Sequence, residues 1–262
     1  MVRLGGVAYA PYIPIFEGIR NHFLRHDIDL DWVLYRDWDA LVDAFVDGEV
    51  DLAWNGPLAY VKIKHRLSSP CQVVAMRDTD VDFATQFITH PNSDITTVED
   101  LKGTTFAFAS RGSVHASLLA HYFLKQSGIN PSRDLRLSTF FEEREPGAKV
   151  SDEVDVIQRV ANREYDAGSV CKRTMDELRG KGELPELRIF WSSPGYSHCC
   201  FSAQSDLDPD LSRRITDAFV TMSDQDPDGK AVLDGEHCSY FIPGMTEGWE
   251  FLEDAAVKEW LI

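Results

Sequence analysis

The sequence predicts an α/β protein with two lobes, each built around a parallel sheet with helical crossovers. Strand-like and helix-like segments alternate between residues 6 and 76, and a second series of the same kind starts at Gly103. Residues 48–53 (GEVDLA) and 163–168 (REYDAG) have a similar pattern. Each segment lies between the end of a predicted helix and the following predicted strand. A chain of 262 residues is long enough for two lobes of about 100–150 residues.

The first lobe follows the order strand, helix, strand, helix, strand, helix, strand. Strands are predicted at 6–9, 28–35, 50–54 and 72–76, and helices from Pro14, at 39–46 and at 58–67, with Gly48 ending the second helix. This order gives a parallel sheet with helical crossovers, and ligands bind beyond the carboxyl ends of such strands. Tyr9, Trp54 and Asn55 lie at those ends and are predicted ligand contacts, with packing at the sheet end as the alternative for the two aromatic residues.

The second lobe begins with a crossing strand at 83–89. Further strands are predicted at 104–109, 135–140, 165–170 and 187–191, helices after residue 113 and at 152–162, and a charged loop at 142–146. A return crossing at 194–203, a helix at 211–222 and small helices around Pro243 and Trp249 complete the chain. The predicted domains are therefore 1–82 with 196–262, and 83–195, which includes the two crossings.

One turn in the second lobe has the local sequence of an anion site. A short strand ending at Ala109 is followed by Ser110-Arg111-Gly112-Ser113, and a helix with an apolar face comes next. A tight turn at a helix start presents free backbone N–H groups and the positive end of the helix dipole. The alternative is an ordinary helix N-cap at Ser110 or Ser113.

Composition excludes several classes of function. The formal charge of −17 and the lack of a basic stripe argue against binding to nucleic acid, and no apolar run approaches a membrane span. The five cysteines form no Cys-x-x-Cys pair, so neither a disulfide framework nor a zinc finger is expected. Met1 leads directly into a strand-like segment, which predicts a cytoplasmic protein if this is the natural start and a periplasmic one if a leader has been removed.

Four segments together resemble a known family. VDLAWNGPLAY at 50–60, LKG at 101–103, GS at 112–113 with YFL at 122–124, and ELRIFWSSP at 186–194 are similar to the type II periplasmic solute-binding proteins of ABC transporters, in the phosphate, phosphite and phosphonate branch. YIPIF at 12–16 is more similar to the sulfonate-binding and thiamin-precursor relatives. The resemblance implies a type II periplasmic-binding-protein fold, with two α/β lobes joined by two crossing strands and a solute clamped in the cleft between them.

The resemblance also implies ligand contacts, and this chain departs from the family at several of them. Ser113, Val114 and His115 stand where phosphonate binders carry Ser-Thr-Ser, Asn55 replaces an aromatic hydroxyl, and Phe83 corresponds to a tyrosine. Family acids fall near Lys172 or Arg173, and at His198 or Cys199. These replacements weigh against a simple phosphonate, while the retained turn from Gly112 predicts an anionic group such as a carboxylate, sulfonate or phosphate.

Three further groups of residues have more than one interpretation. Asp152 and Glu153 are predicted ligand contacts, or caps of the helix after Ser151. His115 is predicted to be a neutral donor to a ligand oxygen, or a histidine satisfied in the core. His198 and Cys199 are predicted ligand contacts, although a Cys–His pair also serves as a nucleophile with its base or as soft metal ligands.

The predicted function is a solute-binding protein for ABC-transporter uptake that holds a small polar, anionic molecule, with a transporter permease as partner and no cofactor or metal. The alternative is a cytoplasmic enzyme on the same fold, a lyase, decarboxylase or biosynthetic enzyme acting on a small anionic metabolite. Its catalytic residues would be Cys199, His198 and His115. A ligand-sensing domain is a third interpretation, which would require a signalling partner.

Overall fold

The computed structural model describes residues 1–145, 151–259 and 261–262. Contacts divide the chain into two compact units, Met1–Val81 with Tyr196–Ile262 (unit 1) and Asp82–Gly195 (unit 2). The chain therefore passes from one unit to the other twice. Each unit contains its own β-sheet, with helices before and after the strands.

Unit 1 is built around a six-stranded mixed sheet with the strand order β11-β4-β10-β3-β1-β2. Its elements are β1 Val2–Val7, α1 Tyr12–Arg25, β2 Leu30–Tyr35, α2 Trp38–Val46, β3 Leu52–Asn55, α3 Pro57–Arg66, β4 Gln72–Arg77, β10 Cys200–Ala203, α9 Pro209–Val220, α10 Pro227–Gly235, β11 Phe241–Pro243 and α11 Glu250–Lys258. β1 pairs in parallel with β2 and β3, as predicted. β10, which belongs to the segment that re-enters unit 1, lies antiparallel between β3 and β4, so the sheet is not wholly parallel.

Several boundaries in unit 1 differ from the predictions for physical reasons. α1 begins at Tyr12 rather than Pro14, because the N–H groups of a first helical turn have no partner inside the helix and a proline there loses nothing. Asn55 lies inside β3 instead of after it. Pro243 belongs to β11, a strand that the sequence did not indicate, and the nearby helices are α10 and α11. Gly48 follows the end of α2 with φ +73°, as its role as a helix stop requires.

Stacked aromatic rings hold the end of β3 in the core of unit 1. The ring centroids of Trp54 and Phe201 lie 4.4 Å apart, and Phe219 packs against Phe201 at 4.3 Å. α1 buries Phe16 and Phe23 completely against the same sheet. Each such side chain contributes roughly 1.5–3 kcal/mol on burial, so the backbone around Trp54 and Asn55 is rigidly supported.

Unit 2 is built around a five-stranded mixed sheet with the order β7-β6-β8-β5-β9. Its elements are β5 Thr85–Thr89, β6 Thr105–Ala107, a π-helical turn Val114–Leu118 continuing into α4 Leu119–Gln126, α5 Pro131–Asp134, β7 Leu137–Thr139, α6 Phe141–Arg144, α7 Asp152–Ala161, β8 Ala167–Cys171, α8 Lys172–Lys181 and β9 Arg188–Ser192. β6 pairs in parallel with β7 and β8, and β5 lies antiparallel between β8 and β9.

The charged segment at 142–146 was predicted to be a loop, and that prediction is wrong for its first residues. Phe141–Arg144 forms a helical turn, because the Glu143 carboxylate accepts the backbone N–H of Phe140 at 3.0 Å and caps it. Pro146 lies outside the described residues. α8 directly follows β8 and was not predicted from the sequence.

The repeated pattern at 48–53 and 163–168 corresponds to a repeated topology. In unit 1 the first strand, β1, lies between β2 and β3, and in unit 2 the strand after the crossing strand, β6, lies between β7 and β8. Gly168 on β8 allows close packing of α7, since a Cβ there would lie 2.5 Å from Val156 Cγ1. This packing fixes the first turn of α7, which carries Asp152 and Glu153.

In the part of the chain that the structure describes, no helix combines the length and apolar character needed to cross a membrane. All five cysteines are free thiols.

Candidate functional site

The turn after β6 caps the helix that follows it, and some of its hydrogen-bond donors have no partner among the described residues. Ser113 N–H donates to Ser110 O at 2.9 Å, which closes the turn. Ser113 Oγ accepts the N–H of Ala116 at 3.2 Å, so Ser113 caps the helix that starts at Val114. The helix opens with a π-helical turn, a feature often found at functional sites. Since Ser113 Oγ accepts in this bond, its hydroxyl proton can still donate to a ligand.

Two carboxylates hold the turn from behind. Asp152 Oδ2 accepts the N–H of Ser110 at 2.9 Å, and the two oxygens of Glu142 accept the N–H of Arg111 at 3.0 and 3.2 Å. Among the described residues, the N–H groups of Gly112 and Val114 have no hydrogen-bond partner. In the predicted anion site, the donors that can still bond to a ligand are therefore these two N–H groups and the Ser113 hydroxyl.

His115 is bonded to a buried carboxylate. Its Nε2 lies 2.6 Å from Glu153 Oε1, and Glu153 Oε2 accepts the N–H of Cys171 at 2.9 Å. Burial alone would raise the pKa of the Glu153 carboxyl, but the charge and hydrogen bond of His115, with the Cys171 N–H and the Thr174 side chain, lower it to about 2. The Phe83 ring lies 5.3 Å from the His115 ring. Glu153 therefore orients His115, a role that the sequence did not suggest.

Arg173 and Cys171 lie at the junction of β8 and α8. Arg173 Nε donates to Glu177 at 2.8 Å, so its guanidinium is paired on its own helix. Cys171 Sγ accepts the N–H of Thr174 at 3.3 Å and caps α8. Burial, followed by the negative charge of Glu153, raises the pKa of the Cys171 thiol and keeps it neutral. Sequence reasoning did not include Cys171, although its position at the end of a predicted strand was an available signal.

In unit 1, Trp54 and Asn55 end β3 as buried residues. Asn55 Nδ2 donates to Ser202 Oγ at 2.7 Å and to Ala53 O at 3.2 Å. Its Oδ1 is buried without a hydrogen-bond partner in the part of the chain that the structure describes. Tyr9 is 60% exposed and contacts Tyr12 edge-on. Trp54 and Asn55 thus lie together, while Tyr9 lies at the surface.

A buried ion cluster adjoins Trp54, and the sequence analysis missed it. Arg77 Nε and Nη2 each donate to the Asp80 carboxylate at 2.7 Å, and Arg77 Nη1 donates to Glu236 Oε2 at 3.2 Å. Burial opposes both charges, yet the pairing raises the pKa of Arg77 and lowers that of Asp80. The guanidinium lies 5.0 Å from the Trp54 ring. Arg77 follows a predicted strand and could have been noticed, but no local signal identifies Glu236.

His198 and Cys199 are neighbours of this cluster. His198 Nδ1 lies 3.3 Å from Asp80 Oδ1 and 3.1 Å from Cys199 Sγ. A nucleophile–base–acid relay uses one ring nitrogen for the nucleophile and the other for the acid. Here both contacts use Nδ1, so this geometry does not provide the relay that the enzyme alternative requires.

Two sets of donor atoms are close enough to consider as metal sites. Asp80, His198 and Cys199 form one set, and His115, Glu153 and Cys171 the other, with ligand atoms within 4.8 Å of one another. Asp80 is already held by Arg77. The 2.6 Å separation of His115 and Glu153 is shorter than the roughly 3.3 Å between two ligands bound about 2.0 Å from one tetrahedral ion. Both arrangements are hydrogen-bonded networks.

The chain matches one protein family over most of its length. The model of the family described as ABC transporter, phosphonate, periplasmic substrate-binding protein matches residues 9–248. A curated relative from Prochlorococcus marinus (strain MIT 9301), described as a probable ABC transporter phosphite binding protein, is 24% identical over 245 residues, which cover 88% of this chain and 79% of the relative.

Solved structures share the fold. The P. marinus protein in complex with methylphosphonate superposes with a TM-score of 0.71 at 20% identity, covering 100% of this chain and 98% of that one. The periplasmic aliphatic sulphonate binding protein of Escherichia coli superposes with a TM-score of 0.60 at 14% identity, covering 100% of this chain and 88% of that one. The predicted two-lobed periplasmic-binding-protein fold is confirmed. None of these relatives is described as an enzyme.

Proposed function

Because the chain belongs to the ABC transporter phosphonate family of periplasmic substrate-binding proteins, we propose that it binds a small phosphorus or sulfur oxyanion for uptake by a membrane permease. Membership of this family implies that the protein binds a small molecule, has a transporter as its partner and functions outside the cytoplasm. The relatives that bind phosphite, methylphosphonate and aliphatic sulfonates support this class of ligand for the present chain.

The observation that carries the proposal is the turn at 110–115. Gly112 and Val114 retain N–H groups without partners among the described residues, and Ser113 retains a hydroxyl proton. These donors lie at the start of a helix that runs to Gln126, where the helix dipole favours negative charge. Three donors at one helix start suit the oxygens of a tetrahedral anion.

We assign the remaining predicted residues to supporting positions. Asp152 and Glu153 hold the turn and His115 in place, and Phe83 packs against the His115 ring. In unit 1, Asn55 Oδ1 is buried and has no hydrogen-bond partner among the described residues, so it is an available acceptor for a polar ligand group. We infer that Trp54, His198 and Cys199 are the ligand contacts of unit 1 together with Asn55, and that units 1 and 2 are the two lobes of the family.

The test uses two substitutions that differ only in charge. Asn and Asp both cap helices as well as serine does, so Ser113→Asn and Ser113→Asp should each keep the stability of the wild type to within about 0.5 kcal/mol. Asp adds a negative charge beside the proposed anion. We expect Ser113→Asn to weaken binding less than about tenfold and Ser113→Asp to weaken it more than about 100-fold, since a like charge in the site costs several kcal/mol.

Binding is measured by isothermal titration calorimetry with phosphite, methylphosphonate and methanesulfonate. The wild type should bind at least one of these anions, and its melting temperature should rise in the presence of that anion. Absence of binding for all three, or equal affinities of the two Ser113 variants, would contradict the proposal.

A further inference from the structure

The backbone N–H groups of the turn after β6 differ in whether a carboxylate already holds them. Asp152 Oδ2 accepts the N–H of Ser110 at 2.9 Å, and both oxygens of Glu142 accept the N–H of Arg111. The next N–H along the chain, that of Gly112, has no partner among the described residues. An anion bound there would therefore be the neighbour of two carboxylates that bond to the same turn.

The carboxylate of Glu142 lies close to the proposed position of the anion. Backbone nitrogens of neighbouring residues are at most about 3.8 Å apart, and each hydrogen bond adds about 3 Å. The oxygens of Glu142 and those of an anion bonded to Gly112 are therefore within about 10 Å of one another. This separation does not exceed the Debye length of about 10 Å at 0.1 M salt, so dissolved ions screen the repulsion only in part.

The positive side chains of the neighbouring elements are largely paired with other carboxylates. Three arginines form such pairs, namely Arg111 with Glu143, Arg144 with Asp155 and Arg173 with Glu177. His115 is bonded to Glu153, whose carboxylate balances a positive charge on the imidazole. Lys172, at the start of α8, is exposed. Among the described residues, the charges bonded to the backbone of the turn are those of Glu142 and Asp152, and both are negative.

These two carboxylates penalise a second charge on the ligand. Sulfonate and phosphonate groups both present three oxygens to the donors, so a second charge adds no hydrogen bond. The helix start is equivalent to roughly +0.5 elementary charge, whereas the two carboxylates carry two full negative charges. For unit charges about 8 Å apart, an effective dielectric constant between about 20 and 80 gives a loss of affinity between about 30-fold and about twofold per carboxylate.

On the basis of the proposed function, we propose that Glu142 and Asp152 make the turn at 110–115 selective for singly charged oxyanions, and that its substrate class is organic sulfonates. A sulfonate carries one charge across the whole physiological pH range. A singly charged sulfur oxyanion with three oxygens for the donors has a carbon substituent in the fourth position, because free sulfate carries two charges. Glu142 and Asp152 are specificity-determining residues, since they act on the charge of the ligand while bonding to the backbone of the turn.

The experiment compares two anions of similar shape and different charge. Isothermal titration calorimetry measures the affinities of the wild type for methanesulfonate and methylphosphonate at pH 9 and low salt. The second ionisation of phosphate-like groups lies near pH 6, so methylphosphonate is mainly a dianion under these conditions, whereas methanesulfonate has one charge. We expect the wild type to bind methanesulfonate at least about fivefold more tightly than methylphosphonate.

Two variants remove one charge each and keep the hydrogen bond to the turn. The amide oxygen of Glu142→Gln or Asp152→Asn still accepts the backbone N–H, whereas the negative charge is lost. We expect each variant to reduce the preference for methanesulfonate at least about twofold. Asp176→Asn is the matched control, because it removes a charge from the exposed pair with Arg179 on α8 and should keep the wild-type preference.

A wild type that binds methylphosphonate as tightly as methanesulfonate would overturn the inference and leave the proposed function intact. An undiminished preference in both carboxylate variants would also overturn it. Absence of binding of both anions and of phosphite would overturn the proposed function as well.

A second measurement does not depend on the folding of a variant. At 1 M salt the Debye length falls to about 3 Å, so the wild-type preference for methanesulfonate should shrink towards equal affinities. A preference that is the same at low salt and at 1 M salt would show that it does not arise from charge, and would contradict the inference.

Discussion

Glu153 and His115, 38 residues apart in the chain, are joined by a 2.6 Å hydrogen bond between Oε1 and Nε2. The bond fastens the first turn of α7 to the first turn of the helix that starts at Val114. Asp152 adds a second link between α7 and the turn, through the N–H of Ser110. The donors at Gly112, Ser113 and Val114 are thereby held in position before any ligand arrives, which lowers the ordering cost of binding.

The Glu153 bond should stabilise the protein in a pH-dependent way. The pKa of Glu153 is lowered from 4.5 to about 2 in the folded state. Its contribution to the free energy of unfolding is therefore present above about pH 4.5 and is lost as the pH falls towards 2. We expect the stability difference between the wild type and Glu153→Gln, measured by urea unfolding, to be smaller at pH 3 than at pH 6. Glu177→Gln, an exposed control, should show a small difference at both pH values, and an unchanged difference for Glu153→Gln would refute the assignment.

The buried pair of Arg77 and Asp80 should be essential to the stability of unit 1. Asp80 is fully buried and receives two hydrogen bonds from the guanidinium. Asp80→Asn removes the charge that accepts these two bonds and leaves Arg77 with Glu236 as its charged partner, so it should lower the free energy of unfolding by about 1.5–3 kcal/mol. Asp176→Asn breaks the exposed pair with Arg179 and should cost less than about 1 kcal/mol. Chemical denaturation of both variants tests this contrast. Similar losses of unfolding free energy would show that the buried pair contributes no more to stability than the exposed one.

Arg163 adopts a backbone conformation that favours glycine. Its φ is +61°, it is the second residue after the end of α7, and its N–H donates to Val160 O at 3.1 Å. Arg163→Gly should therefore stabilise the protein by up to about 1 kcal/mol, because a side chain in the left-handed region costs about 1–2 kcal/mol. The matched control is Gly182→Ala at the end of α8, where φ is +70° and a loss of similar size is expected. The midpoint of urea unfolding should rise for Arg163→Gly and fall for Gly182→Ala, and shifts in the opposite directions would contradict this expectation.

Local sequence patterns were sufficient for most of the strands and longer helices and for the turn at 110–115, but not for α6, α8 or β11. Alternation of apolar residues and helix stops such as Gly48 depend on neighbouring residues, so they can be recognised without a structure. The same holds for the capping role of Ser113, which follows from a serine placed before an apolar helix.

The residues that set the charge of the candidate sites could not be predicted in this way. Glu236 meets Arg77 from 159 positions along the chain, and Glu142 reaches the N–H of Arg111 from 31 positions away. Such pairs form only when the strands are already packed, and no sequence window contains both partners. Glu153 was singled out from the sequence, but as a ligand contact, because its bond to His115 depends on the packing of α7 against β8.

Nuclear magnetic resonance of the backbone amides tests the central claim, anion binding at the turn, most directly. In a titration of the ¹⁵N-labelled protein with methylphosphonate, the amide protons of Gly112 and Val114 should shift downfield as they form hydrogen bonds. The amides of Ser110 and Arg111, already bonded to carboxylates, should move less. Saturable binding that leaves Gly112 and Val114 unshifted would contradict the account.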